Sequence, residues 1–462
     1  MMRLPRRSCL FASILFGCAA LAAGPDAAPP KNILIVCINC LRKDRVGAYS
    51  RVSNTPNIDA LAKSGAFVFK NYVTRATWTE PCLFELFTAR DFRRGGRRIL
   101  ETLHVNKEIT DPGAMLGDIS LLDSGAMLAP GGKPYNCLWS YRQRLDQVLE
   151  LNVIRTIQPP FVMFCHTTSL HIPFATARDS VDPRTAVDAL LPSSHEHYLK
   201  SLAFTKDPKG LPGDTIPANM SFMMAAFGAE TALCRKLGAN YGWIVNEQLL
   251  SAWRGSPTYD MEIDILRRLY GANVRATDCA LGRLLALLKR RGLLDSTIVV
   301  IMGDHGEHLM ERGYLEHWMP YDEVISPPLI VKVPGMLTER KSIEEQVWTR
   351  HLLPTLLALA GVTLNEKTRK GIDGRSLLPL LRGKREDIAA FAVSERRTHM
   401  IRKNDGWKLI WHRTTGKKEL YNVKTDPGER RDLAGKHPEI QAALEEELLL
   451  HVLGAPQGGS DR

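Results

Sequence analysis

The chain has 462 residues, 44% hydrophobic and 24% charged, which is ordinary globular composition. That length suffices for one large α/β domain with an appendage, or for two domains. The net charge of +11 suits anionic partners. The excess is scattered (Arg6, Arg7, Arg396, Arg397, Lys417, Lys418) and forms no aromatic-plus-basic repeat, so it reads as solvated surface and speaks against nucleic acid.

In chain order, Arg3, Arg6 and Arg7 precede an apolar run from Cys9 to Ala23, too short for a comfortable membrane span. Ala20-Leu21-Ala22 fits a signal-peptidase site, giving a signal peptide over residues 1–23. Leu15-Phe16-Gly17-Cys18 offers the alternative of a lipoprotein signal ending before Cys18, with a lipid anchor at a membrane surface; an uncleaved anchor is the third option. All three place the protein in an exported bacterial envelope location, periplasmic or lipid-anchored. Residues 24–31 form a linker rich in Pro and Ala.

Three apolar runs then end in polar, chemically capable residues. Asn32 to Ile38 stops at Asn39-Cys40; Phe161 to Cys165 runs into His166 and His171; Ser296 to Met302 runs into Gly303-Asp304-His305-Gly306-Glu307. Continuous apolar runs mark strands buried on both faces, and open α/β sheets bind ligands past the carboxyl ends of their strands. An amphipathic helix over Ile265 to Arg291, with Ile265, Leu269, Leu281, Leu284, Leu285 and Leu288 on one face and Gly292 closing it, leads into the third strand in a βαβ rhythm. Pro328 to Val333 is a further strand. From about 390, four short strand candidates (Ala390 to Glu395, His399 to Lys403, Trp407 to His412, Glu419 to Val423) form an antiparallel meander, followed by a helix from Ile440 to Leu453. The segment from about 175 to 260 has no clear period and reads as an insertion over the active face. The fold class is therefore α/β: a large, mostly parallel central sheet flanked by helices over 32–385, with a smaller C-terminal α+β subdomain containing an antiparallel sheet over 386–462.

Thr79 precedes Glu80-Pro81 at a helix start, where backbone N–H groups favour an anion; a plain capping threonine is the alternative. Asp304-His305 is a natural metal pair that suits Zn²⁺ or Mn²⁺ more than Ca²⁺; the alternative is a turn Asp beside an exposed His. His171 and His317 are candidate contacts for an anionic substrate, each also readable as structural. Seven cysteines lie beyond the signal (Cys37, Cys40, Cys82, Cys137, Cys165, Cys234, Cys279), several in apolar runs where a thiol behaves as a small hydrophobe.

The ordered set of motifs resembles the sulfatase family of the alkaline phosphatase superfamily. It comprises Asn32-Ile-Leu-Ile-Val with Leu41 to Tyr49; Thr55-Pro-Asn-Ile-Asp59-Ala-Leu-Ala62 with Gly65 to Phe69; Leu170-His171-Ile-Pro-Phe174; Gly303-Asp304-His305-Gly306-Glu307; Leu353 to Leu357; Asp373 to Leu377; and Glu419 to Asn422 before Asp426-Pro-Gly-Glu429. The family's nucleophile lies in a Cys-x-Pro-x-Arg element whose Cys becomes formylglycine. Aligned on Pro81, Thr79 takes the nucleophile position, Leu83 replaces the arginine, and Cys82 is three residues late. The resemblance thus implies a threonine-nucleophile, non-formylglycine variant. It implies one divalent metal ion held by Asn39, Thr79, Asp304 and His305, with Zn or Mn favoured and Ca as the alternative. His171 and His317 would bind the ester or protonate the leaving group. Arg42 is either an anion contact or a structural salt bridge. The implied activity is hydrolysis or transfer of sulfate or phosphate esters. Asn39 stands where the family usually has Asp, and Cys40 where Asp or Thr is usual. The rival is a catalytically impaired relative serving as an envelope binding protein.

Overall fold

The computed structural model describes residues 32–51, 54–89, 136–140, 145–150, 152–171, 259–336, 342–361, 372–384, 391–394 and 398–453. The signal peptide, the linker and the 175–260 segment (its last two residues apart) lie outside the described residues, as do Cys9, Cys18 and Cys234.

Strand β1 (Asn32–Ile38) leads to helix α1 (Pro56–Lys63), β2 (Phe67–Val73) and α2 (Thr79–Thr88). Next come β3 (Asn136–Ser140), two short helices α3 (Leu145–Glu150) and α4 (Asn152–Thr156), and β4 (Phe161–Thr167). The long helix α5 (Tyr259–Arg290) feeds β5 (Thr297–Met302); a small hairpin, β6 (His308–Leu309) and β7 (Leu315–Glu316), precedes α6 (Asp322–Ile325), β8 (Leu329–Lys332) and β9 (Ser342–Trp348). Helices α7 (Leu352–Leu359) and α8 (Leu378–Leu381) complete this part of the chain.

The main sheet has seven strands in the order β3-β4-β1-β5-β8-β2-β9. β3, β4, β1 and β5 run parallel, β8 is antiparallel to both its neighbours, and β2 and β9 are parallel to each other. Alternate residues of β1 feed two cores. Leu34, Val36 and Ile38 pack with Leu281, Leu284 and Leu288 of α5; Ile33, Ile35 and Cys37 pack with Leu86 and Phe87 of α2 and Leu353 and Leu356 of α7. That period-2 division, with helices on both faces, is why the strand reads as continuously apolar. Helix α5 begins six residues before the expected Ile265. Its buried stripe near the start is Ile263, Leu266, Tyr270 and Val274, which keeps helical phase with Leu281, Leu284 and Leu288, while Leu285 is half-buried. Gly292 ends it at φ +68 with open space around the absent Cβ, so the backbone conformation is the reason for glycine there.

The C-terminal sheet is antiparallel in the order β10 (Phe391–Ser394), β11 (Thr398–Arg402), β12 (Trp407–His412) and β13 (Lys418–Asn422). One face carries Ile401, Leu409 and Leu420 against Leu444 and Leu448 of α9 (Pro438–Leu453); the other carries Met400, Ile410 and Tyr421 against Val73, Val324 and Trp348 of the main body. Among the described residues no helix is long and apolar enough to cross a membrane.

Candidate active site

Three strand ends and one helix start meet at the carboxyl edge of β4, β1 and β5. Asn39 follows β1 and stays tied to β4 by its N–H donating to Thr167 O at 2.9 Å. Thr79 is the first residue of α2, beside Trp78 at the N-cap, so it stands at the expected helix start without being the cap itself. Asp304 and His305 follow β5 in a turn that requires glycine: a Cβ on Gly303 would lie 2.7 Å from Pro327, and one on Gly306 would run into the Glu323 carbonyl. The glycines are needed here for close approach.

The four residues expected at the metal come together. Asn39 Nδ2 donates to Thr79 Oγ1 at 2.7 Å and to Asp304 Oδ2 at 2.8 Å, and lies 3.4 Å from His305 Nε2. The His305 ring faces the Gly306 carbonyl oxygen with Nδ1 at 2.8 Å, which can only accept, so Nδ1 carries the proton and Nε2 keeps its lone pair toward Thr79 Oγ1, 3.3 Å away. Burial holds His305 below the ordinary imidazole range and therefore neutral, against the pull of Asp304. Burial raises the Asp304 carboxyl, but His305, His166 and the Asn39 amide outweigh it and hold the group well below the usual carboxylate range. Its Oδ1 accepts from the His305 backbone N–H at 2.9 Å and Oδ2 accepts from His166 Nε2 at 3.2 Å.

The two candidate ester contacts sit beside this group. The rings of His171 and His317 are 5.3 Å apart and edge-to-face, and His317 is 4.5 Å from His305. Burial, and then His171, pull His317 down to about 3, so it is a neutral imidazole at physiological pH. Arg42 corrects one expectation. Its Nε and Nη2 form a fork on Asp44 at 2.9 Å each, and Nη1 binds Glu311 at 2.8 Å and the Glu307 carbonyl at 3.2 Å. It is buried and its fork is spent on protein acceptors, so the salt-bridge alternative replaces the anion contact.

Four residues near the site, His166, Glu307, Cys37 and Cys40, were given no role from the sequence. His166 orients Asp304; its position at the end of β4 was the available signal. Glu307, the last residue of the Gly303 to Glu307 motif, is fully buried beside the histidines, and burial pushes its carboxyl up. Cys37 and Cys40 form a C-x-x-C spacing, but the two side chains belong to opposite cores, and both are free thiols. Cys40 N–H approaches Asp304 Oδ1 at 3.3 Å, and its thiol donates to Asn39 Oδ1 at 3.1 Å.

The structure is thus a mixed, mostly parallel sheet with this cluster at its carboxyl edge. The family described as Sulfatase matches residues 31–111 and 134–362, and the chain belongs to it. A second family, described as N-sulphoglucosamine sulphohydrolase, C-terminal, matches residues 307–452. Arylsulfatase K of Bos taurus is 29% identical over 205 residues, 41% of this chain and 37% of that protein. The delta 4,5-hexuronate-2-O-sulfatase of Bacteroides thetaiotaomicron is 34% identical over 168 residues, 34% of each chain. The chain thus matches little more than a third of the length of these relatives. Among solved structures, a protein in complex with its substrate D-glucosamine-2-N,6-O-disulfate superposes with a TM-score of 0.60 at 18% identity, covering 94% of this chain and 100% of that one. The phosphonate monoester hydrolase of Silicibacter pomeroyi superposes at 0.58 with 19% identity, covering 93% and 96%. These two share the fold.

Proposed function

We propose that the chain is a metal-dependent hydrolase of sulfate or phosphate esters with Thr79 as its nucleophile. The observation that carries this reading is the convergence of a helix-start hydroxyl, a carboxylate and a ring nitrogen with a free lone pair: Thr79 Oγ1, Asp304 and His305 Nε2, bridged by Asn39. The relatives' printed activities, on arylsulfate and hexuronate 2-O-sulfate esters, make sulfated saccharides the first substrates to try.

The donor set fits a divalent cation. His305 is fixed in the tautomer a metal ligand needs by its bond to Gly306, and Asp304 is held ionised. Asn39 presents its amide nitrogen inward, so it contributes only after the amide turns to present Oδ1. Thr79, Asp304, His305 and Asn39 would hold the ion, Zn²⁺ or Mn²⁺ by ligand type. A bound dication supplies charge that acidifies the threonine hydroxyl and stabilises the ester's oxygens. The chain's own groups do the rest. Thr79 Oγ attacks sulfur or phosphorus, the bond to the alcohol oxygen breaks, and the hydroxyl proton passes by way of the His171–His317 pair, which binds the ester, to the departing alkoxide. Water then cleaves the threonine ester. The inward amide of Asn39 also favours a second reading, a binding protein whose cation position is filled by its own N–H groups. Export to the envelope, with or without a lipid anchor, completes the proposal.

The experiment is a panel of sulfate esters and phosphate mono- and diesters, with the divalent metal varied. Thr79→Ala should lose several orders of magnitude on any substrate turned over, whereas Cys82→Ser should retain most activity. An active Thr79→Ala protein, or a formylglycine mass at residue 82, refutes the reading.

A further inference from the structure

A second set of metal-ligating groups meets on the other side of His305. Cys40 Sγ lies 3.9 Å from His305 Nδ1, and His317 Nδ1 lies 3.5 Å from Glu307 Oε2. The Cys40 thiol and one ring nitrogen each of His305 and His317 all lie within 4.8 Å of one another. Glu307 is fully buried, and its carboxylate faces the Cys40 thiol and His317 Nδ1. A buried carboxylate whose neighbours are a neutral imidazole and a thiol keeps a desolvation cost that a bound cation would offset. Cys40 adds a backbone at φ +61, a region that non-glycine residues enter rarely and usually at functional positions.

The spacings suit a tetrahedral ion. Zinc–sulfur and zinc–nitrogen bonds of about 2.3 and 2.0–2.1 Å place sulfur and nitrogen roughly 3.5 Å apart, and nitrogen and oxygen roughly 3.3 Å apart. The Cys40–His305 pair, at 3.9 Å, needs to close by only a few tenths of an ångström, whereas Glu307 stands outside the group of three that lie within 4.8 Å of one another and reaches it through its 3.5 Å approach to His317 Nδ1. Charge also balances. One thiolate and one carboxylate neutralise a dication among two neutral imidazoles, the arrangement a dry site tolerates best. Sulfur and imidazole together select zinc over calcium or magnesium.

We propose that Cys40, His305, His317 and Glu307 form a zinc site on the opposite ring nitrogen of His305 from the position beside Thr79, and that zinc bound there holds the protein inactive. The second clause rests on the ester-hydrolase reading; the first does not. Binding releases one proton, from the Cys40 thiol, as the sulfur–zinc bond forms. Zinc on His305 Nδ1 displaces that nitrogen's proton to Nε2 and breaks the bond to Gly306. Nε2 then faces Thr79 as a donor, with no lone pair left for a metal there, and His317 is withdrawn from the ester.

The test titrates the metal-stripped full chain with Co²⁺, a spectroscopic stand-in for zinc. The expected result is a near-ultraviolet thiolate-to-cobalt band with tetrahedral visible bands, all removed by added Zn²⁺. Cys40→Ser should lose the thiolate band and bind zinc on the order of 100-fold more weakly. Glu307→Gln, nearly the same shape, should also weaken zinc, with circular dichroism checking that each variant folds. Co²⁺ bound by wild type without a thiolate band overturns the site, and so does undiminished zinc affinity in Cys40→Ser. A thiolate band in a protein that turns over no ester with any metal supports the site while sinking the hydrolase reading. A band accompanied by zinc-stimulated turnover overturns the inactivation.

Discussion

At the scale of single residues, the chemistry turns on which atom Asn39 presents. Its amide N–H groups reach Thr79 and Asp304, the same partners that a cation beside them would have. A carboxylate there would bring a negative charge to the ion in a partly dry site, where Coulomb terms are large. Asn39→Asp should therefore tighten binding of Zn²⁺ or Mn²⁺ on the order of 10- to 100-fold by calorimetry, and Asp304→Ala should weaken it severely. If Asp304→Ala binds metal like wild type, the assignment of this site is wrong. A different residue sets an acid limit. His351 is buried at the head of α7; burial, then Arg350 and Arg375, hold it down to about 3, below its ordinary 6.5. The unfolded chain therefore takes up this proton first. The stability it contributes is complete above about pH 6.5 and falls by roughly 1.4 kcal/mol per unit as the pH drops toward 3. Urea melts between pH 7 and 4 should show a shallower pH slope in His351→Gln than in wild type; equal slopes would exclude His351 as the source.

At the scale of elements, buried charge joins the C-terminal sheet to the body. Lys408 of β12 is fully buried and pairs with Asp322 of α6 at 2.9 Å and with Glu429 at 2.7 Å, while Arg402 of β11 lies 3.4 Å from Asp322. Glu429 accepts Lys408 but is pushed up to about 7, by burial first. Removing the cation takes from Glu429 its charged partner and leaves Asp322 to Arg402. Lys408→Ala should cost about 3–5 kcal/mol in denaturant unfolding, far more than removing an exposed pair such as Arg268–Asp264. A loss below about 1 kcal/mol would show that the two parts are held by the apolar contacts of Met400, Ile410 and Val324 instead. Strands β2, β3 and β9 were not legible in advance. β3 and β9 are the sheet edges. Ser342 to Trp348 alternates half-buried, buried and exposed positions with Glu344, Glu345 and Gln346 among them, so it lacks the apolar run of a central strand.

At the scale of the whole molecule, the reading divides by where the information sits. The Arg-rich start and apolar run belong to local sequence, and they predict a mature protein lacking at least its first 17 residues; intact-mass measurement on protein from the native envelope checks this, and a full-length mass contradicts it. The central strands, the long helix and the C-terminal meander were also determined by the sequence alone, because burial on two faces, a 3.6-residue stripe and short turn-bounded runs are local patterns. The set Asn39, Thr79, Asp304, His305, each at a strand end or helix start, came from the resemblance to the sulfatase family; by themselves the residues left Thr79 readable as a capping threonine and Asp304-His305 as a turn. The pairing of those ends was decided only in three dimensions. The parallel order β4-β1-β5 brings residues more than 200 positions apart within hydrogen-bonding distance. The same packing spends Arg42 on Asp44 and Glu311, divides Cys37 from Cys40 across the sheet, and seats Glu307 among the histidines. A side chain's type is written in the chain, but the atom it presents, and to what, depends on neighbours that only the folded sheet brings together.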